Sequence, residues 1–273
     1  MANSNLQPGS SVNQTPARAS VVKTTSLNKA VHALMTCAVI LILWQAIVVL
    51  FALPKFIVPS PFDVFQSIVS QPANLLRHTW VTLQEILLGL VLGCWIGVSA
   101  SLCMLMSKTL NRWLMPILII SQAIPVFALA PVLMLWFGYG MASKIVMSAI
   151  IIFFPITVCC YDGLNNTPKG YLELGQTFQL TRWQMLWRIR FPAALPALAS
   201  GLRVAVVIAP IGAVIGEWVG ASSGLGYFML QSNARMQTAD MFAALTVLSL
   251  VSISLYFIVN YLLNRLINWD QGE

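Results

Sequence analysis

Apolar residues run along this chain in long blocks, with polar residues confined to the short segments between them. Six blocks stand out, at about Ala30 to Leu53, Val81 to Met106, Trp113 to Phe137, Ser143 to Tyr161, Pro196 to Val219 and Met241 to Ile267. A bilayer core about 30 Å thick takes about 20 apolar residues wound as a helix. Inside it every backbone polar group must be satisfied within the protein, and long apolar runs achieve this as helices, not as a barrel. The pattern therefore predicts an all-α, polytopic membrane protein with six transmembrane helices over residues 30–267.

Composition agrees, since 58% of the 273 residues are hydrophobic and 8% are charged, against about 25% charged in a soluble domain. The first 29 residues are rich in Ser, Asn, Gln, Thr and Pro and predict a disordered tail. This tail is too long and polar for the basic start of a signal peptide, and a spanning run follows it, so no cleaved signal is expected. Residues 268–273 form a second short tail.

The net charge of +7 changes the picture only in one respect. Basic residues collect in the cytoplasmic loops of membrane proteins, and that accounts for the excess without a nucleic-acid partner. Arg18, Lys23, Lys29, Lys108, Arg112, Lys169, Arg182, Arg188, Arg190 and Arg265 lie on the side of the termini. Lys55, Arg77, Lys144 and Arg235 lie on the other. Both termini are thus expected in the cytoplasm. The five cysteines, Cys37, Cys94, Cys103, Cys159 and Cys160, fall inside apolar runs without metal-ligand spacing and read as small fillers; no metal site is expected.

Three features inside the spans carry information. Gly89, Gly93, Gly97 and Ser101 recur every four residues in the second span, and Gly212, Gly216 and Gly220 repeat the pattern in the fifth. Lipid provides no hydrophobic drive between helices, so such faces predict close helix packing. The third span holds Pro116, Pro125 and Pro131, with Gln122 among them. A helix broken at membrane depth is tolerated where protein or a water-filled cavity lines it, which leaves a translocation pathway and a plain kink as alternatives. Glu217, in the apolar part of the fifth span, is expensive there and marks a pathway residue or proton relay, the alternative being that, a turn from the non-cytoplasmic end, it reaches interfacial water. Arg203, nearer the other end of that span, is expected to snorkel as an anchor.

Some chemistry is missing. No Gly-x-x-x-x-Gly-Lys-[Ser/Thr] loop occurs, so ATP-driven work has to come from a partner. Gly220-Ala221-Ser222-Ser223-Gly224 has the Gly-x-Ser-x-Gly form of serine hydrolases, but that motif needs a preceding strand and a histidine base. His32 and His78, the two histidines, stand near span ends.

The charged segment YLELGQTFQLTRWQMLWRIRFP, Tyr171 to Pro192, is the exception in an apolar chain. Thr167-Pro168 signals a helix start, with Thr as N-cap. Thr181-Arg182-Trp183-Gln184 has the form of a capping box and signals a second. Two short helices joined by a bend near Gln179 to Thr181, and closed by Pro192, are predicted. The residues alone leave open whether this unit lies on lipid headgroups or docks a cytoplasmic protein.

The spacing of Glu173-Leu174-Gly175, Gln179 and Ile189-Arg190-Phe191-Pro192 resembles the EAA loop of ABC importer permeases. The likeness extends through Pro59-Ser60-Pro61, Ile124-Pro125, Pro131, Trp136-Phe137-Gly138-Tyr139-Gly140, Phe154-Pro155, Pro192-Ala193-Ala194-Leu195-Pro196, Gly216-Glu217 and Ser223-Gly224-Leu225-Gly226-Tyr227. It covers nearly everything from about residue 55 onward and is nearest to the permeases of nitrate, sulfonate, taurine and thiamine-precursor importers.

The resemblance implies a type I ABC importer permease in the bacterial inner membrane, working as a homodimer surrounded by lipid. ATP and Mg would be held by a separate ATPase subunit, and a periplasmic or lipid-anchored binding protein would deliver substrate. This chain would hold no cofactor and catalyse no reaction. Residues 162–192 would form the coupling loop, with Tyr171, Glu173, Leu174, Gly175, Phe178, Gln179 and Arg182 docking the ATPase. Gln122, Pro125, Pro131 and Glu217 would belong to the pathway. Leu174 and Gly175 replace the two alanines of the family pattern without removing its small or apolar character. Gln179 replaces a glycine, and a left-handed non-glycine residue costs about 1 to 2 kcal/mol, so either the bend is less sharp or it shifts toward Thr181. The segments Gly216 to Tyr227 and Asn233 to Gln237 look most like the branch importing the hydroxymethylpyrimidine precursor of thiamine, with sulfonate, taurine or nitrate as alternatives. A proton-coupled secondary transporter using Glu217 is the alternative of another class.

Overall fold

The computed structural model describes residues 26–267, and among these it contains helices and turns but no strand. The tail expected over residues 1–29 lies outside the described residues as far as residue 25, and so do residues 268–273. Helix α1, Ser26–Leu50, begins four residues before the first expected span. Its apolar part, Leu34–Leu50, is exposed along most of its length, as suits a helix in lipid. Residues up to Ala46 form one compact unit and those from Ile47 another; the remaining elements all belong to the second.

That second unit contains α2 (Pro61–Ser70), α3 (Pro72–Met106), α4 (Lys108–Ser121), α5 (Val126–Phe137), α6 (Met141–Asn165), α7 (Lys169–Thr177), α8 (Arg182–Met185), a π-helical turn (Leu186–Arg190), α9 (Phe191–Gly220), α10 (Leu225–Ala234) and α11 (Thr238–Leu266). Among the described residues, α3, α6, α11 and the continuous helix Arg182–Gly220 are each long and apolar enough to cross a membrane.

Helix α6 is the centre of this unit, packed between α3 and α9. The glycine faces explain how. A Cβ on Gly89 would stand 2.5 Å from the Ser148 Cβ, and one on Gly97 would stand 2.7 Å from Ile156 Cγ2. Gly93 meets Ile152 in the same way at 3.0 Å. From the other side, Gly212 lies on the backbone of Ser148 and Gly216 on Lys144. These five glycines thus face α6, which α3 and α9 approach more closely than any larger side chain would permit, while Gly220 meets Met134 and Tyr139 instead. Ile86, Ile152, Ile156, Ala205, Val206 and Ala209 fill the seam.

Three expectations are sharpened or corrected. First, of the break and the kink left open for the third span, the structure shows a break: α4 and α5 meet at an angle of 105°. The last turn of α4 tightens, with the Gln122 amide donating to the Ile119 carbonyl at 3.2 Å and the Ala123 amide to Ile120 at 3.0 Å. Ile124 then precedes Pro125, whose ring disfavours a helical residue before it. Pro116 and Pro131 lie inside α4 and α5 without breaking them.

Secondly, Pro192 closes nothing. Helix runs from Arg182 to Gly220, 39 residues, because the chain switches to π-helical bonding just before the proline. The Phe191 amide donates to the Leu186 carbonyl, five residues back. This widened turn gives room where a proline ring would otherwise press on the carbonyl four residues earlier.

Thirdly, Arg203 does not act as a free snorkelling anchor. Its Nε donates to Asn260 Oδ1 and its Nη2 to Asn264 Oδ1, each at 2.8 Å, which ties α9 to α11.

Candidate functional site

Two parts of the unit combine polar side chains with special backbone geometry: the α7–α8 segment outside the spans, and a buried cluster at the far end of α9.

Helix α7 ends in a Schellman motif. The Gln179 amide donates to the Gln176 carbonyl at 2.9 Å, and the Leu180 amide donates to Gly175 at 3.0 Å. That pattern needs a left-handed residue after the C-cap, and Gln179 supplies it at φ 51°. Neither sequence-based alternative for the bend holds: it is neither relaxed nor moved, and Gln179 takes the strained position itself. The expected capping box is present, with the Thr181 hydroxyl accepting from the Gln184 amide at 3.3 Å and the Gln184 side chain accepting from the Thr181 amide at 3.0 Å. Thr167 does not cap α7. Pro168 holds that position, and the Thr167 hydroxyl donates back to the Leu164 carbonyl at the end of α6.

Tyr171, Glu173, Leu174, Phe178, Gln179 and Arg182 are exposed on this segment, and Trp183 joins them. Phe178 is 74% exposed, which for an aromatic residue outside the apolar spans marks a surface without a partner among the described residues. Gly175 is different. It is buried, and a Cβ there would meet Met185 Cε at 2.5 Å and Ile189 Cδ1 at 2.8 Å. Its small size lets α7 fold back on α8 and the π turn, so it shapes the docking candidate from behind and contributes nothing to its face.

At the other end of the long helix, α10 starts against a set of side chains from α3 and α9. The Glu217 carboxylate accepts from the amides of Gly226 and Tyr227, the latter at 3.3 Å, and from the Thr82 hydroxyl at 2.6 Å. The Thr82 oxygen accepts from the Leu225 amide at 2.8 Å, and His78 Nδ1 accepts from the Gly224 amide at 3.0 Å. All four amides that a helix start leaves without an internal partner are thus met by buried side chains. Gly224 sits at φ 116°, ψ 162°, a region in effect reserved for glycine. A Cβ there would fall on the Glu217 carboxylate.

Glu85, one turn beyond Thr82, is fully buried and pairs with Lys144 at 2.8 Å. Lys144 was expected at the non-cytoplasmic end of its span. It lies in the first turn of α6, 4% exposed, with its ammonium turned inward. Glu85 Oε2 has no hydrogen-bond partner among the described residues. Thr82 and Glu85 were not singled out in the sequence, and His78 only as a histidine near a span end, although a signal existed. They are spaced by four and three residues and continue the helical stripe of Gly89, Gly93 and Gly97, so the face that packs most closely on α6 also carries the polar groups.

Of the residues assigned to a pathway, Gln122, Pro125 and Pro131 are exposed at the bend and on α5, whereas Glu217 is 1% exposed and occupied as a helix cap.

Comparison with known proteins fits this geometry. The sequence profile of the binding-protein-dependent transport system inner membrane component family matches residues 89–268. A probable ABC transporter permease protein of Haemophilus influenzae is 54% identical over 234 residues, 86% of this chain and 96% of that protein. The formylaminopyrimidine transport permease protein ThiX of Halalkalibacterium halodurans is 37% identical, over 86% of this chain and 94% of its own length. Among solved structures, an inward-facing conformation of the MetNI methionine ABC transporter superposes with a TM-score of 0.64 at 21% identity, over 72% of this chain and 97% of that one.

Proposed function

Because the chain belongs to the binding-protein-dependent transport system inner membrane components, the permease subunits of ABC transporters, we propose that two copies of it form the translocation path of an ATP-driven importer. In this reading the exposed face of α7 and α8 seats on a separate ATPase subunit, which holds ATP and Mg and carries out hydrolysis, while this chain catalyses nothing. A periplasmic or lipid-anchored protein presents the substrate, both termini are cytoplasmic, and lipid covers the outer apolar surface.

The observation that carries this reading is the continuous helix from Arg182 to Gly220. At 1.5 Å per residue it is about 58 Å long, and it joins the exposed α7–α8 unit at one end to the capped start of α10 at the other. A push on Arg182 by a closing ATPase pair would be passed along this helix to Glu217, and access at the far side would change with it. Binding energy of ATP would thus act on the membrane helices through one continuous element.

For the substrate we favour a pyrimidine precursor of thiamine. This is supported by the likeness to the formylaminopyrimidine permease over nearly its whole length and by the Gly216–Tyr227 segment. Uptake of labelled hydroxymethylpyrimidine by cells expressing the full transporter tests it. ATP-dependent uptake that disappears in Glu173→Lys, with the ATPase no longer co-purifying, is the expected result. Uptake that follows the proton gradient after ATP depletion would overturn the importer reading, and uptake of aminoalkanesulfonates instead would overturn the substrate.

A further inference from the structure

Where α3 ends and α4 begins, a cavity of about 830 Å³ opens between the α3–α4 turn, the end of α6 and the π turn. Lys108, Arg112 and Arg190 line it together with Trp113, Tyr161 and Asn111, and no acidic side chain does. Neither ion pair found among the described residues involves any of these three cations. Lys108 and Arg190 also line a neighbouring cavity of about 630 Å³, where the third cation is Arg182. Positive charge is therefore concentrated on this corner, and no ion pair among the described residues compensates it.

We propose that this cavity binds the headgroup of an anionic phospholipid of the phosphatidylglycerol type. Four observations select that chemistry. The cations suit a phosphate, which Arg and Lys bind through charge-assisted hydrogen bonds. The absence of any acid on the lining leaves nothing to receive the ammonium of a zwitterionic headgroup.

Asn111 narrows the choice further. Its Nδ2 donates to the Tyr161 hydroxyl at 2.7 Å, while its Oδ1 is buried without a partner. That acceptor is suited to a hydroxyl donor such as a headgroup glycerol provides.

Position supplies the fourth argument. The cavity lies at the end of a membrane-spanning helix, with Trp113 70% exposed beside it, in the place where Trp and Tyr mark the edge of the bilayer. From there α4 presents Ile117, Ile119 and Ile120 to the outside, an apolar track for the acyl chains of a lipid whose phosphate sits among the three cations. A volume of about 830 Å³ is also far larger than a bare phosphate ion fills.

The site is independent of what the transporter carries, so its test is separate from transport. The full-length protein, purified in detergent with its partner subunits, would be examined by native mass spectrometry for retained lipid and by thermal unfolding with added phosphatidylglycerol, phosphatidylcholine or inorganic phosphate. Phosphatidylglycerol is expected to be retained and to raise the unfolding temperature, with phosphatidylcholine and phosphate having little effect. At about 1 kcal/mol per basic residue, Lys108→Gln with Arg112→Gln should weaken the apparent affinity roughly thirtyfold. Lys108→Arg with Arg112→Lys should keep most of it, and neither pair should move the unfolding temperature without lipid. Equal stabilisation by phosphatidylcholine, equal stabilisation by inorganic phosphate, or an undiminished response in the Gln pair would each overturn the proposal.

Discussion

The Thr82 hydroxyl on α3 donates to the Glu217 carboxylate on α9 at 2.6 Å while its oxygen accepts from the Leu225 amide of α10 at 2.8 Å. One small side chain therefore holds the end of the longest helix and the start of the next against a third. Replacing it by valine keeps the shape and leaves the Leu225 amide and one Glu217 oxygen without this partner. A buried group deprived of its partner costs about 1 to 3 kcal/mol, so Thr82→Val should lower the unfolding temperature of the purified protein clearly, and Thr82→Ser should lower it less. The same loss in both variants would show that packing, not the hydroxyl, matters at this position.

Gly224 provides a sharper test of the same cap. Its backbone conformation strains any other residue, and a Cβ would also meet the Glu217 carboxylate. Backbone strain of this kind alone is worth about 1 to 3 kcal/mol, so Gly224→Ala should be among the most damaging single-methyl additions in the chain. Gly170→Ala, where nothing stands within 4 Å, is the matching control, measured by the yield and thermal unfolding of the two variants.

For the Glu85–Lys144 pair the expectation is asymmetric. Removing one member of a buried ion pair costs about 3 to 5 kcal/mol because the other charge is left alone, whereas replacing both with apolar residues of similar volume is often close to neutral. Lys144→Met should therefore be poorly tolerated, and Lys144→Met combined with Glu85→Leu should recover much of the loss. A double variant as unstable as the sum of the singles would argue against mutual compensation.

Gln179 sits at φ 51°, where glycine is unstrained. Gln179→Gly should stabilise the α7–α8 turn by up to about 1 kcal/mol and leave the shape of the docking face unchanged. Protease sensitivity of the segment between Tyr171 and Arg182 is a suitable measurement, and increased cleavage in the variant would show that the left-handed position is not what limits the turn.

Outside the spans, α2 is capped by Ser60 and Asp63 in a reciprocal box, and Lys55 pairs with Asp63 at 3.0 Å. The Ser60 hydroxyl, then Lys55, hold the Asp63 carboxyl below its ordinary range. A depressed carboxylate adds stability that is complete above its unfolded value and fades as pH falls through its folded one. The local stability of α2, followed by hydrogen exchange, should thus be flat at neutral pH and decline only in acid. Asp63→Asn should remove that acid-dependent step.

The apolar blocks were enough to specify helices and a membrane, because length and hydropathy act on each segment separately. The glycine stripes in two of them likewise pointed to close packing, and the Thr181 capping box was legible because a cap involves only four adjacent residues. The break in the third span was signalled by its prolines, though not its angle. Local rules also failed in places. Pro192 was expected to end a helix, and instead a π turn before it lets the helix continue, since burial of α9 against α6 and α11 outweighs one disturbed turn. Gln179 is held left-handed because Gly175 is packed beneath Met185 and Ile189, a contact that a propensity cannot contain.

By itself, then, the sequence determined the solvent, the helical class, the close-packed faces and, through its resemblance to a known pattern, the family. The tertiary structure alone decided that Glu217 caps a helix nine residues further on, that Lys144 turns inward to Glu85, and that Thr82 joins three helices. Each of those statements concerns which distant groups meet in a low-dielectric interior, where a charge or amide must find its partner in space. Sequence records the groups that need partners; only the packed helices show which ones they find.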